Sequence, residues 1–537
     1  MQSTPWEEGD PKAPICILGE APGRTEMAGG RPLIGPAGML FDQCLKAAGI
    51  ARRECYILNV FPFPVHKKRD NEWYSPQGEC VWLKGLTPAG LTASFDQFQK
   101  LKACGANVFV PMGAAALRAL TPHVQVMKWR GSILKTDHGC KAVPTIHPAA
   151  SLRGQYLWRY MIIGDLRRAK EEGLSPEINL PKRELITRPS LSETTEFLEE
   201  LRARKKPINF DIEIYNHQIS CISFANSPYR AISIPFIYED GNYWSETAEL
   251  EVWRLIAELL YDQEIPNVNQ NILFDMAVLA QKNGIVTRGP CYDPMVAQSI
   301  MYPEFPKGLD FICSVHTREP YYKDEGKIWQ KIDVTWDDHW RYNAKDSVVS
   351  LEAWQVLAAE MDSKGYRELH DQTTRMYPTL LEMMLRGMKV DRGALGRTQK
   401  RIKHEIADKM AELNRMADYE FNPTSPKQCQ EYFYEHKSVP PYMSRKTGKP
   451  TTDDKAMSRI FRRFKLPEAK LVQEIRGLSK LEGTYLEIAF DPDDRLRCSY
   501  NPRGTWTGRL STSQTVFGTG TNMQNLDPRF KEFLVAG

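Results

Sequence analysis

Asp211 and Glu213 lie two residues apart in a strand-like run, 209–214, among the apolar neighbours Phe210, Ile212 and Ile214. Successive strand side chains point to opposite faces, so the two carboxylates share one face. Such a pair is costly to bury unless cations offset it. Downstream, Asn271-Ile272-Leu273-Phe274-Asp275 opens a helical segment, and Tyr342-Asn343-Ala344-Lys345-Asp346 sets Tyr342 and Asp346 one helical turn apart. Hard oxygen ligands suit Mg2+ or Mn2+ rather than a metal held by thiolates. A second set sits around turns: Gly19-Glu20-Ala21-Pro22-Gly23, the glycine-rich stretch from Gly30 to Gly38, Asn59, and Pro144-Thr145-Ile146-His147-Pro148. Each motif alone is ordinary, since a DxE is usually an exposed edge and a His-Pro pair usually a turn. Order and spacing carry the information.

The elements that must position these residues are legible as apolar periodicity. Over 14–150, strand-like runs (15–18, 56–60, 108–110) alternate with helical stretches (38–49, 113–120), an α/β pattern. A polar stretch around 167–188 reads as a linker. A second α/β unit starts with a strand at 208–214 and closes with a helix at about 340–361. From there to about 490 the reading is mostly helical, and 498–537 returns to turns and short strands rich in Gly, Thr, Ser and Asn.

At 537 residues the chain exceeds one hydrophobic core, and its composition, 42% apolar and 26% charged, is that of a globular protein. No apolar run approaches the roughly 18 residues of a bilayer span, and no signal-peptide pattern opens the chain, so a cytoplasmic location and no membrane partner are expected. The eleven cysteines are scattered singly, without a CxxC, which signals neither a zinc site nor a disulfide framework. Net charge is +4, but residues 371–537 hold 29 Lys/Arg against 21 Asp/Glu, a surplus of 8, leaving −4 for 1–370. A basic rear behind an acidic front suits a part that grips a phosphate backbone beside metal-binding carboxylates; an unevenly solvated surface is the plain alternative.

In order and spacing the acidic motifs resemble those of the DnaQ-like proofreading exonucleases: DxE, an Asn shortly before Phe-Asp, then YxxxD. Asp293 in Tyr292-Asp293-Pro294 and the stretch Lys307-Gly308-Leu309-Asp310 also fit bacterial DNA polymerase I relatives. The resemblance implies that Asp211, Glu213, Asp275 and Asp346 hold two divalent ions about 3.5–4 Å apart, which activate water and stabilise the leaving 3′-oxygen. It makes Tyr342 the group that orients the attacking water and Asn271 a substrate contact.

The front of the chain, roughly 14–170, resembles the family 4 uracil-DNA glycosylases, whose pattern runs GEAPG, GxPFVGxAG, a strand-end TN and a THP loop. By that resemblance Asn59 reads the uracil edge, and His147 donates to uracil O2, where charge develops as the glycosidic bond breaks. Glu20 positions or activates water. The base must be flipped out to reach them, with Leu152 and Arg153 filling the vacated space. Leu33 stands where the family stacks an aromatic on uracil. The family's four-cysteine set is also missing, Phe63 falling near one of its positions, so no iron–sulfur cluster is expected.

From 377 onward the chain resembles the thumb and early palm of family A DNA polymerases. Leu385-Arg386-Gly387-Met388-Lys389-Val390-Asp391 opens it, and Thr507-Gly508-Arg509-Leu510-Ser511-Thr512 and Asn522-Met523-Gln524-Asn525-Leu526 resemble the TGRLSS and PNLQNIP signatures. By that resemblance Arg509 reaches the primer end in the minor groove, while Asn522 and Gln524 lie near the template, contacts that set register rather than sequence preference.

The expected architecture is therefore multidomain α/β. A uracil-DNA glycosylase-like α/β/α domain covers 1–172, a linker 173–206, an RNase H-like exonuclease domain 207–362, and a mostly helical polymerase thumb with the start of the palm 363–537. The chain is expected to stop short of the catalytic palm motifs and not to polymerise unaided. The expected partner is DNA, as primer–template, single-stranded 3′ end or uracil-containing strand. Two alternatives stay open: a DNA-tethering platform with a degenerate first domain, and a first domain that senses uracil without removing it.

Overall fold

Runs of apolar residues without polar alternation build the first sheet. It contains β1 (Glu7–Glu8), β2 (Ile15–Gly19), β3 (Cys55–Asn59), β4 (Val108–Pro111), β5 (Leu134–Lys135) and β6 (Lys141–Ala142), in the order β1-β3-β2-β4-β6-β5. The four inner strands run parallel, with antiparallel β1 and β5 at the edges. Every residue of β2, β3 and β4 is buried, as in a parallel sheet covered on both faces. Ile15 and Ile17 point to one layer, with Leu40, Phe41 and Leu45 of the helix Pro36–Ala48 and Ile162 and Leu166 of the helix Trp158–Glu172. Cys16 and Leu18 point to the other, with Tyr56, Phe109, Leu101 and Leu120. This is the expected α/β/α sandwich.

The computed structural model describes residues 4–64, 88–137, 139–239, 241–325, 334–483 and 487–535. It divides into two compact units, Met1–Asp275 with Lys282–Arg375, and Met276–Gln281 with Met376–Gly537. The first unit contains a second sheet made of β7 (Glu184–Ile186), β8 (Ile208–Tyr215), β9 (Gln218–Ser227), β10 (Arg230–Pro235) and the short strands Asn267–Val268 and Cys291–Tyr292. Its order is Cys291–Tyr292, Asn267–Val268, β8, β9, β10, β7; β8, β9 and β10 pair antiparallel and the other pairs are parallel. The helix Trp336–Lys364 packs across β8, β9 and β10. A capping box between Thr335 and Asp338 starts it, and Gly365, at φ +75°, closes it in the left-handed conformation.

Residues 173–206, expected as a linker, belong to this second layer system. They supply β7 and the helix Leu191–Arg204, begun by a Ser190–Glu193 capping box. Thr194, Phe197, Leu198 and Leu201 are buried at helical spacing while the rest of that helix is charged, which is why the stretch read as polar.

The second unit is helical, as expected, with Arg392–Ala417, Asp454–Phe464 and Pro467–Leu481 as its main helices. Leu413, Tyr432, Phe433, Met457, Val472 and Ile475 form one core there, and Val390, Leu395, Leu496 and Phe530 another. The hairpin Ser499–Asn501 with Ser511–Ser513 carries the TGRLS stretch. Among the described residues no helix is long and apolar enough to cross a membrane.

Candidate active sites

The acidic residues converge where β8, the helix Ile272–Asn283 and the helix Trp336–Lys364 meet. Among the described residues, Asp211, Glu213 and Asp346 each bring a carboxylate oxygen within 4.8 Å of the others. A register shift between Glu213 and Ile214 in the β8–β9 ladder marks a bulge beside these residues, a feature that re-aims side chains at sites. Asp275 stands outside that group of three. Its Oδ1 accepts from the Ile212 amide at 3.1 Å and its Oδ2 from Asn269 Nδ2 at 3.1 Å, so the chain's own donors hold it.

Three polar residues that the motifs did not single out complete the cluster. Asn269 Nδ2 also lies 3.4 Å from Asp211 Oδ1. Asn343 Nδ2 donates to Asp211 Oδ2 and to the Asp211 carbonyl, both at 3.0 Å, while its own Oδ1 accepts from Ser233 Oγ at 2.8 Å. Lys323 Nζ donates to Tyr342 Oη at 2.7 Å and to Asp346 Oδ2 at 2.5 Å. Asn343 adjoins Tyr342 within the YxxxD motif, so position alone could have suggested it. Asn269 lies two residues before the expected Asn271, and Lys323 has no local signature. Asn271 takes a left-handed conformation, φ +60°, and its backbone amide donates to Asp293 Oδ1 at 3.0 Å. Asp293, fully buried, also caps the helix Pro294–Met301 and so fixes this turn.

The electrostatics ask for a cation. Burial, then repulsion from Asp346, pushes Asp211 up to about 7. Burial, then repulsion from Asp211, pushes Glu213 and Asp275 well above the ordinary carboxylate range. Burial alone would lower the Lys323 pKa, but Asp346 and Tyr342 more than offset it, and it stays well above the ordinary lysine value. Asp346 Oδ1 is buried with no hydrogen-bond partner. A carboxylate cluster in which Asp211 and Glu213 have raised pKa values and Asp346 has an orphaned oxygen fits a divalent metal ion, and the lysine supplies only part of the missing charge.

In the first domain, the predicted residues gather at the carboxyl ends of the parallel strands, where ligands bind in open α/β sheets. Glu20 follows β2, Asn59 ends β3 in register with Gly19, and His147 follows β6. A Cβ on Gly19 would lie 2.2 Å from Asn59 Oδ1, so only glycine lets the buried Asn59 amide lie there. His147 Nδ1 accepts from the Ala149 amide at 3.2 Å, capping the helix Pro148–Ser151. A neutral imidazole held this way carries its proton on Nε2. Leu33 is buried in the core layer with Ile17, Leu40 and Ile146, at φ +50°. Arg52 donates to its carbonyl at 3.1 Å, and a Cβ on Gly38 would lie 1.9 Å from that same oxygen. Leu152 and Arg153 are exposed just past the Pro148–Ser151 turn.

In the second unit Arg509 and Gln524 are exposed. Asn522 Oδ1 accepts from Thr512 Oγ1 at 2.7 Å and from the Gln524 amide at 3.1 Å, tying the NxQN turn to the TGRLS hairpin.

Comparison with known proteins matches three stretches of the chain to three families. Residues 6–162 match the uracil DNA glycosylase superfamily, 188–362 the 3′-5′ exonuclease family, and 392–533 DNA polymerase family A. DNA polymerase I of Pseudomonas aeruginosa is 28% identical over 397 residues, which cover 68% of this chain and 42% of that protein. The type-4 uracil-DNA glycosylase of Thermotoga maritima is 30% identical over 166 residues, covering 30% of this chain and 79% of that enzyme. The POL domain of Pol1 from M. smegmatis, solved in complex with DNA primer–template and dNTP, aligns with a TM-score of 0.53 at 20% identity, over 66% of this chain and 59% of its own. That likeness concerns the fold. The chain spans less than half the length of the Pseudomonas polymerase.

Proposed function

We propose a role in DNA replication and repair for a chain that belongs, segment by segment, to the uracil-DNA glycosylase superfamily, the 3′-5′ exonucleases and DNA polymerase family A. Its central activity is removal of nucleotides from 3′ ends. The observation that carries this is the cluster of Asp211, Glu213 and Asp346, with oxygens within 4.8 Å of one another and one Asp346 oxygen unpartnered. These residues would hold Mg2+ or Mn2+, with Asp275 completing the set for a second ion. When bound, the metal supplies charge that activates water and stabilises the leaving oxygen.

The protein's own groups do the rest. Asn343 and Asn269 fix Asp211 by donating to its two oxygens. Lys323 donates to the oxygen of Tyr342, which leaves the tyrosine hydroxyl proton to orient a water or a phosphate oxygen. Buried donors that hold their acceptors in advance lose little on reaction.

For the first domain we propose recognition of uracil by the Asn59 amide and donation from His147 Nε2 to the departing base, with Glu20 serving the water. The buried, aliphatic Leu33 favours a second reading in which the pocket captures uracil weakly or only senses it. In the second unit, Arg509, Gln524 and Asn522 grip primer–template.

One experiment tests these readings together. The purified chain is incubated with 5′-labelled single strands, with and without uracil, in Mg2+ or EDTA. Ladders that shorten from the 3′ end only with metal support the exonuclease, and intact strands in Mg2+ refute it. Abasic sites formed in EDTA support excision; uracil-selective binding without them supports sensing.

A further inference from the structure

The first domain and the nuclease centre are joined by contacts that end on a catalytic neighbour. Segment 321–325 of the exonuclease carries Lys323, whose ammonium reaches Tyr342 and Asp346. Tyr321 and Asp324, which flank Lys323 in that segment, are held by the glycosylase-like domain. Lys128 pairs with Asp324 and sits 4.9 Å from the Tyr321 ring centre. Trp129 meets Tyr321 edge to face, with centroids 5.3 Å apart. Ser132 Oγ accepts from the Tyr321 amide at 3.1 Å.

The same face continues behind this grip. Arg130 donates to Ser314 Oγ at 2.9 Å, and Arg168 donates to the carbonyls of Ser314, Val315 and Thr317 at 2.8–3.1 Å. Gly131, at φ +74°, would place a Cβ 2.7 Å from the Ser314 carbonyl, so glycine permits the close approach. Buried Asp165 anchors Arg130 from within the first domain. Arg130 and Asp165 are buried and paired, which fixes this part of the interface in one geometry rather than a range.

We propose that the glycosylase-like domain is a working part of the nuclease: its segment 125–132 clamps the 321–325 segment and so places Lys323 as a resident cation on the carboxylate cluster. Lys323 is a positioning residue that orients Tyr342 and keeps Asp346 in place before metal arrives. Its ammonium also competes with metal for the Asp346 carboxylate. Loosening the clamp in the first domain therefore alters the nuclease without touching a carboxylate.

The inference rests on the exonuclease reading, and its test has an arm that does not. Lys128→Glu, Trp129→Ala and Lys323→Met are compared with the wild type in two assays, 3′→5′ degradation of a single strand and Mn2+ binding followed by the free-ion electron paramagnetic resonance signal. Lys100→Ala, which breaks an exposed pair with Glu7 in the first domain, serves as the control. Removing an ammonium beside a carboxylate cluster changes cation affinity on the order of tenfold or more. Lys323→Met should therefore bind Mn2+ about tenfold more tightly while degrading DNA at least tenfold more slowly, with kcat affected more than KM. Lys128→Glu and Trp129→Ala should move both quantities in the same directions by smaller factors. The double variant Lys128→Glu with Lys323→Met should be no worse than Lys323→Met alone, since one acts through the other. Opposite movement of affinity and rate separates this role from simple loss of folding. Wild-type rates and affinities in the two clamp variants would overturn the proposal. So would slower degradation with Mn2+ affinity unchanged or weakened. A wild-type chain with no nuclease activity removes the exonuclease reading, and the Mn2+ arm still decides the clamp.

Discussion

Replacing Asp211 with asparagine keeps the side chain's shape and removes its charge, so the variant isolates the cost of assembling the carboxylate cluster without metal. Burial and Asp346 push Asp211 up to about 7 in the folded chain, against about 3.9 in an unfolded one. Three pH units at about 1.4 kcal/mol each give a penalty on the order of 4 kcal/mol once the folded group ionises. Residual solvent access makes that a ceiling. The sign follows from the raised value. Below about pH 4 both states are protonated and the penalty vanishes; it grows through the window from about 4 to about 7 and is complete above it. Metal-free wild type thus loses stability as pH rises through that window. The Asp211→Asn side chain escapes this penalty but has one acceptor for two donors, Asn269 and Asn343, at a cost of roughly 1–3 kcal/mol. In EDTA, denaturant unfolding at pH 5 and pH 8, followed by tryptophan fluorescence, should show the variant gaining about 3 kcal/mol relative to wild type between the two. Added Mn2+ should stabilise the wild type more than the variant, and 3′→5′ degradation should fall by orders of magnitude in Asp211→Asn. A stability difference that does not change with pH would refute the reasoning.

Other consequences are as direct. His147→Ala should abolish abasic-site formation on uracil DNA, because the departing base loses its placed donor. Abasic-site counts over time check this. The purified chain should be colourless and free of iron and labile sulfide, measured by absorbance and elemental analysis. Arg509→Ala should weaken primer–template binding at every sequence and lower the salt slope by about one, read from titrations at several salt concentrations.

Much of this was written in the sequence because the chemistry concerned is local or strictly ordered. The period-two DxE on β8, the one-turn spacing of Tyr342 and Asp346, and the apolar runs of β2, β3 and β4 follow from backbone geometry. Glu20 and Asn59 could be placed at strand ends for the same reason. The supposed linker 173–206 misled because an amphipathic edge helix and a three-residue strand carry little apolar weight, and only pairing with β10 reveals them. Tertiary structure alone decided the rest. Asp275, held by Ile212 and Asn269, stands beside the three clustered carboxylates rather than among them. Lys323 reaches Asp346 across 23 residues of sequence, and Lys128 in another domain grips the residue beside it. Such contacts leave no periodicity or motif, because a long side chain finds its partner through the packing of distant elements rather than through spacing along the chain.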